Sequence, residues 1–160
     1  MTSPISTGGG RGGVVELSIV IPALDEVGKV GADLAAAGGF LAEEGLAGEV
    51  ILVDDGSGDG TAARARDAPR PAGVARQVIV LERKRGKGYA LRRGVAASRG
   101  ELVLFADSGC CIPFAQARRG MALIRGGRCG IALGSRRHPD SVIRREQPLF
   151  RRLGSRLYMA

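Results

Sequence analysis

A chain of 160 residues, 44% of them hydrophobic, is long enough to bury one sizeable core and does not require a second domain. Its formal net charge of +8 points toward anionic partners, but Lys stands only at positions 29, 84 and 87 and nearly all the positive charge is Arg. The aromatics interleaved with basic residues on which RNA and single strands stack are missing, which argues against a nucleic-acid partner.

Residues 1–13 end in Gly8-Gly9-Gly10-Arg11-Gly12-Gly13 and lack both periodicity and apolar bulk, so they are expected to form a flexible leader. These glycines precede the first strand, whereas a dinucleotide fingerprint follows one. The domain proper is expected over residues 14–160. Residues 17–21 read as a first strand, and 29–46 as a helix that carries Val30, Leu34, Phe40 and Leu41 at helical spacing despite Gly38-Gly39. Residues 49–53 read as a second strand, and 61–68 as a short helix ended by Pro69 and Pro71. A third strand at 77–81 leads to a helix at 87–98 stopped by Gly100. A fourth strand at 101–105 leads to a helix at 114–124 stopped by Gly126-Gly127, and 129–133 reads as a fifth strand. Residues 142–159 read as an Arg-rich helix. The Arg-rich segment 136–156, whose arginines alternate with Val142, Ile143, Leu149, Phe150, Leu153, Leu157 and Tyr158, is expected to face an acidic acceptor or an anionic membrane surface, the alternative being a helix that packs an ordinary core face with solvated arginines. The longest apolar runs, such as 102–106, are far too short to span a bilayer, and no signal peptide is visible. The expected location is cytoplasmic, peripheral at the inner face of the membrane.

Strand and helix in alternation predict an α/β fold with a mainly parallel sheet, which binds ligands outside the carboxyl ends of its strands. The unusual polar clusters all fall there. The first strand runs into Pro22-Ala23-Leu24-Asp25-Glu26, the second into Asp54-Asp55-Gly56-Ser57, the third into Glu82-Arg83-Lys84-Arg85-Gly86-Lys87-Gly88, the fourth into Asp107-Ser108-Gly109 and the fifth into Gly134-Ser135-Arg136-Arg137. Five such loops are expected to converge on one cleft.

The second loop taken alone has a plainer reading, a tight turn with Asp59 or Thr61 capping the next helix. An EF-hand reading fails, because Arg66 stands where the bidentate acid belongs. Cys110, Cys111 and Cys129 have neither disulfide-framework nor zinc-ligand spacing and read as free thiols. His138, the only histidine, reads as a loop residue rather than a base.

Four motifs in order carry a family resemblance. They are 18–26 (SIVIPALDE), 53–61 (VDDGSGDGT), 85–94 (RGKGYALRRG) and Gly134-Ser135-Arg136. Together they resemble the nucleotide-sugar-binding half of the family 2 glycosyltransferases, in the branch of dolichyl-phosphate glucosyltransferases and dolichyl-phosphate mannose synthases, from Leu17 to the C-terminus. The resemblance implies a GT-A fold, a Rossmann-like three-layer sandwich. It also implies a longer catalytic domain, whose acceptor part is missing here.

The resemblance further implies that Pro22, Ala23, Glu26, Asp54, Asp55 and Gly56 surround the base and ribose of a UDP- or GDP-hexose. Lys87 would meet the diphosphate at a helix N-terminus, and Arg136 would bind phosphate and stabilise the leaving diphosphate. Asp107 and Arg136 are the expected catalytic residues. Members carry Asp-x-Asp after the fourth strand to bind Mg²⁺ or Mn²⁺; here the motif is Asp107-Ser108-Gly109, which leaves Asp107 as the one expected metal ligand and puts metal dependence in doubt. Gly109→Asp is expected to strengthen metal-dependent binding, provided that the glycine is not needed for a positive φ. The implied reaction is an inverting transfer of a hexose to an acceptor such as a polyprenyl phosphate, which is already anionic and needs no strong base. The alternatives are a non-catalytic nucleotide-sugar-binding module and, more weakly, a nucleotidyltransferase, whose phosphate loop after the first strand is lacking.

Overall fold

The computed structural model describes residues 14–110 and 112–135. The leader, Arg136, and the 142–159 helix expected from sequence lie outside the described residues. The chain divides into two compact units, one running through Arg119 and the other from Gly120.

The first unit is built on four strands, β1 (Leu17–Ala23), β2 (Gly48–Asp54), β3 (Ala75–Val80) and β4 (Leu102–Phe105), all parallel in the order β3-β2-β1-β4. β1 and β2 are buried along their whole length, as the near-continuous apolar runs of a parallel sheet covered on both faces require. The helices α1 (Val30–Glu43) and α2 (Thr61–Asp67) pack on each other and on β2, with α2 also against β3, while α3 (Lys87–Ala97) packs on β1 and β2. Connections that stay right-handed while moving from β1 to β3 and then back to β4 put α3 on the opposite face. The three-layer expectation therefore holds.

Alternation along the strands divides the core between the two faces. Val20, Ile51 and Val53 form a fully buried cluster with Ala90 of α3, against which Ile79, Leu91 and Ala97 pack. A Cβ on Gly94 would lie 2.3 Å from Val20 Cγ1 and 3.1 Å from Val53 Cγ2, so glycine is what lets α3 seat on the sheet. On the other face Leu41 of α1 packs over Gly48, where a Cβ would lie 2.5 Å from its Cδ2. α3 leaves β4 uncovered, and Val103 and Phe105 remain 39% and 53% exposed.

The opposite, amino-terminal edge of the sheet is held by a polar clamp. Ser18 and Glu49 are register partners, and Ser18 Oγ donates to Glu49 Oε1 at 2.8 Å. Arg99 donates to Glu49 from its backbone N–H (2.8 Å), Nε (3.0 Å) and a terminal guanidinium nitrogen (2.7 Å). Burial pushes the Glu49 carboxyl up, but the hydrogen bonds from Arg99 and Ser18 outweigh it and hold it below its ordinary range.

Two expectations are corrected at helix ends. α1 stops at Glu43 rather than 46, because Gly45 (φ 63°) starts a Schellman turn in which Leu46 N–H reaches the Leu41 carbonyl (3.0 Å) and Gly45 N–H that of Ala42 (3.2 Å). The segment expected as one helix at 114–124 opens as a 3-10 turn, Phe114–Gln116, and continues as α4 (Ala117–Arg125). Phe114 stacks on Phe40 of α1 with centroids 6.2 Å apart.

In the second unit, α4 ends in another Schellman turn, with Arg128 N–H on the Leu123 carbonyl and Gly127 N–H on that of Ile124, both at 3.0 Å. The fifth strand expected at 129–133 is not formed. Among the described residues no strand pairs with this segment, and Ile131 and Leu133 stand 76% and 77% exposed. Apolar alternation makes a strand only where a neighbour supplies the ladder.

Candidate functional site

The loops after β1 and β2 are laced together by the very acids that mark them in sequence. Asp55 N–H donates to the Ala23 carbonyl (2.8 Å), Asp25 N–H to Ser57 Oγ (2.9 Å), and Gly58 N–H returns to Asp25 Oδ1 (3.1 Å). Glu26 N–H donates to Thr61 Oγ1 (2.8 Å) and Val27 N–H to Asp59 Oδ2 (3.0 Å). Asp59 also accepts from Thr61 N–H (2.9 Å) and its hydroxyl (2.5 Å), and those bonds, the hydroxyl's foremost, hold its carboxyl below the usual range. The expectation that Asp59 or Thr61 caps the next helix is corrected: the N-cap residue of α2 is Gly60, and Asp59 stands one residue before it, its bond from Thr61 N–H closing a turn.

Asp54 is buried and accepts from Ser57, through N–H at 3.2 Å and through its hydroxyl. Asp55, also buried, faces the next loop and accepts the N–H groups of Arg85 and Gly86, each at 2.8 Å. Gly56 has φ 80°, and a Cβ there would lie 2.8 Å from the Arg83 carbonyl carbon, so the β2 loop passes hard against the β3 loop. Sequence reasoning assigned Asp54 and Asp55 to a ligand; the structure gives both carboxylates backbone work.

At the carboxyl edge these loops enclose a cleft of about 270 Å³. It is lined by Pro22, Ala23 and Glu26 after β1, Asp55 after β2, Lys84 and Lys87 around the start of α3, and Asp107 after β4. Asp54 and Gly56 do not line it. Four of the five expected loops therefore converge. Gly134 and Ser135 of the fifth follow no strand, and Arg136 and Arg137 lie outside the described residues. The strand order reverses at β1, which places the cleft at the switch point where open parallel sheets bind ligands.

Its electrostatics come from two sources. α3 begins at Lys87, and the first backbone N–H groups of a helix have no intrahelical acceptor, so this end attracts anions. The preceding loop adds Arg83, Lys84 and Arg85, with the Arg85 guanidinium 4.4 Å above the Tyr89 ring and that of Arg92 5.9 Å from it. Across the cleft, Lys87 Nζ pairs with Asp107 Oδ1; both side chains are more than half exposed. Lys29 pairs with Glu26 at 2.6 Å.

The residues fit a divalent cation poorly. Asp107 is held by an ammonium group, Gly109 has no ligating atom on a side chain, and its N–H donates to both oxygens of Asp33 at 2.9 Å. Among the described residues no group of three or more His, Cys, Asp or Glu side chains is arranged to hold a metal ion.

A model of glycosyl transferase family 2 matches residues 18–159. The chain belongs to that family. It is 33% identical over 147 residues to the dolichyl-phosphate beta-glucosyltransferase of Mus musculus, covering 85% of this chain and 45% of that enzyme. Mannosyl-3-phosphoglycerate synthase from Rubrobacter xylanophilus is similar in structure, with 26% identity and a TM-score of 0.50 over 59% of this chain and 31% of that one. Glucosyl-3-phosphoglycerate synthase from Mycobacterium tuberculosis, solved with Mn²⁺, UDP-glucose and phosphoglyceric acid, matches with 30% identity and a TM-score of 0.47 over 58% of this chain and 33% of that one. The chain spans less than half the length of these relatives. The fold is the parallel α/β fold of the GT-A glycosyltransferases.

Sequence reasoning missed Asp33, whose carboxylate on α1 anchors the β4 loop. A signal was present. Asp33 lies on the same helical stripe as Val30, Leu34, Ala37 and Leu41, all buried, and an acid there must find partners.

Proposed function

We propose that this chain forms the donor-binding part of a glycosyltransferase that moves a hexose from a UDP- or GDP-sugar to a phosphate-bearing acceptor, a polyprenyl phosphate. The observation that carries this reading is the cleft at the switch point, in which carboxylates from the β1 and β2 loops face the cationic N-terminus of α3. Glu26 and the Pro22-Ala23 backbone, which line the cleft, are assigned to base and ribose. Lys87, Lys84 and the α3 N-terminus neutralise the diphosphate as its bond to the anomeric carbon breaks. Arg136, from beyond the described residues, is assigned a share of that charge.

In the proposed step an acceptor phosphate oxygen attacks the anomeric carbon from the face opposite the diphosphate. The new C–O bond forms with its electron pair, the old one leaves with the nucleoside diphosphate, and configuration inverts. No proton has to be removed, so no carboxylate base is required. Asp107 then orients the sugar or Lys87 rather than acting as a base. The similarity to mannosyl-3-phosphoglycerate synthase makes a small phosphorylated acid the competing acceptor. Among the described residues no helix is long and apolar enough to cross a membrane.

Isothermal titration with UDP-glucose and GDP-mannose tests donor binding, and radiolabelled transfer to polyprenyl phosphate or to 3-phosphoglycerate tests the acceptor. Heat with one donor and label in the lipid phase are expected. Absence of heat with every nucleotide sugar overturns the reading, and binding without transfer to either acceptor leaves a nucleotide-sugar-binding module.

A further inference from the structure

The β4 loop is fixed from outside the cleft by one carboxylate. Asp33 is 2% exposed, and its oxygens accept the N–H of Gly109 (2.9 Å to each), the N–H of Cys110 (2.8 Å) and the Cys110 thiol (3.0 Å). Gly109 has φ 95° and Cys110 φ 47°; a non-glycine residue keeps such a conformation only where its surroundings hold it. The two successive N–H groups wrap the carboxylate as a backbone nest wraps an anion. On the other side of the loop, Ala106 N–H donates to the Val20 carbonyl at 3.1 Å. Asp107 and Ser108 therefore hang between two anchors, the sheet and Asp33, and Asp107 is the residue of this loop that reaches Lys87.

We infer that Asp33 is a positioning residue for the donor site: it holds the β4 loop in the conformation that presents Asp107 to Lys87 and to the bound nucleotide sugar. The assignment rests on the donor-site reading above and adds to it a residue that touches no ligand. It also accounts for position 109. An acid there would need to project toward the cleft from a backbone whose N–H is turned to Asp33.

A double-mutant cycle on the full chain tests this, with donor affinity measured by isothermal titration and folding by thermal melting. Asp33→Asn keeps an acceptor oxygen but confronts the Gly109 N–H with an amide donor, so it loosens the loop with little change in volume. It is expected to weaken donor binding by about tenfold in the wild-type background and to have almost no further effect in Asp107→Ala, because both act through the same carboxylate. An equal loss in both backgrounds overturns the proposal and leaves Asp33 a purely structural residue. Gly109→Ala, which strains the loop without touching Asp33, gives a second route if Asp33→Asn fails to fold, and is expected to show the same non-additivity.

Alkylation of Cys110 by iodoacetamide supplies a readout independent of any donor. Losing the facing carboxylate favours the thiolate, so Asp33→Asn is expected to speed modification several-fold at neutral pH. An unchanged rate shows that Asp33 does not hold the loop and overturns the inference. A wild-type chain that binds no donor while Cys110 responds as expected overturns the donor-site reading and, with it, the assignment of Asp33 to that site.

Discussion

The Asp55 carboxylate accepts the N–H of Gly86, the N-cap residue of α3, at 2.8 Å. Its other oxygen takes the N–H of Arg85, also at 2.8 Å, so one buried acid sets where the helix begins and where Lys87 points. Asp55→Ala leaves two backbone donors unpaired and is expected to cost about 1–3 kcal/mol of stability, read by urea denaturation. Donor affinity should fall with it. A variant as stable as wild type would show that water replaces the carboxylate and that the helix start is set elsewhere.

Lys87 and Asp107 make an ion pair of the opposite kind, exposed on both sides. Such pairs contribute about 0–1 kcal/mol, so Lys87→Ala should leave the melting temperature nearly unchanged. Its effect belongs to binding, because the ammonium group lies where a diphosphate meets the α3 N-terminus. Titration with UDP-glucose or GDP-mannose should show roughly tenfold weaker binding, the usual order for a lost charge-assisted hydrogen bond. Unaltered affinity would place the diphosphate away from α3.

Stability at acid pH should depend on Glu49. Its folded carboxyl lies below the ordinary range, because the hydrogen bonds from Arg99 and Ser18 exceed the opposing effect of burial. A depressed acid binds fewer protons folded than unfolded. Its contribution is therefore complete above the ordinary carboxylate pKa and is lost as pH falls through the folded value. Denaturation midpoints between neutral pH and pH 3 should decline in wild type and decline less in Glu49→Gln. Parallel slopes would mean that the clamp does not titrate with folding.

Order and type of the first four strands and the three helices between them were legible because each has a period and a punctuated end. The site's location followed from the same alternation, since the polar clusters sit on one edge. The roles of the acids were not legible. Asp54 and Asp55 look like ligand groups in sequence, yet Asp54 accepts from Ser57 within its own loop and Asp55 accepts the N–H groups of Arg85 and Gly86 in the next one, the latter a fact of tertiary approach that spacing does not encode. The Arg99–Glu49–Ser18 clamp joins three distant positions in the same way. The run at 129–133 misled for the converse reason, since its pattern suits a strand but no ladder partner stands beside it among the described residues.

Restoring an acid at position 109 supplies the sharpest test of how this cleft handles charge. The condition attached to the sequence expectation is not met, because Gly109 has φ 95° and its N–H is bound by Asp33. Aspartate in that backbone is strained by about 1–3 kcal/mol and can relieve the strain only by breaking the Asp33 contacts. Gly109→Asp is therefore expected to lower stability and to add little metal-dependent affinity. In the unmodified chain, donor binding should change only modestly between Mn²⁺ and EDTA, since Lys87 already pairs with Asp107 and supplies one fixed positive charge. Paired titrations in Mn²⁺ and in EDTA decide it. If EDTA abolishes donor binding by the unmodified chain, a ligand set outside the described residues completes a metal site; if Gly109→Asp gains strong Mn²⁺ dependence without loss of stability, the loop is not fixed by Asp33 and position 109 is free to carry the missing acid.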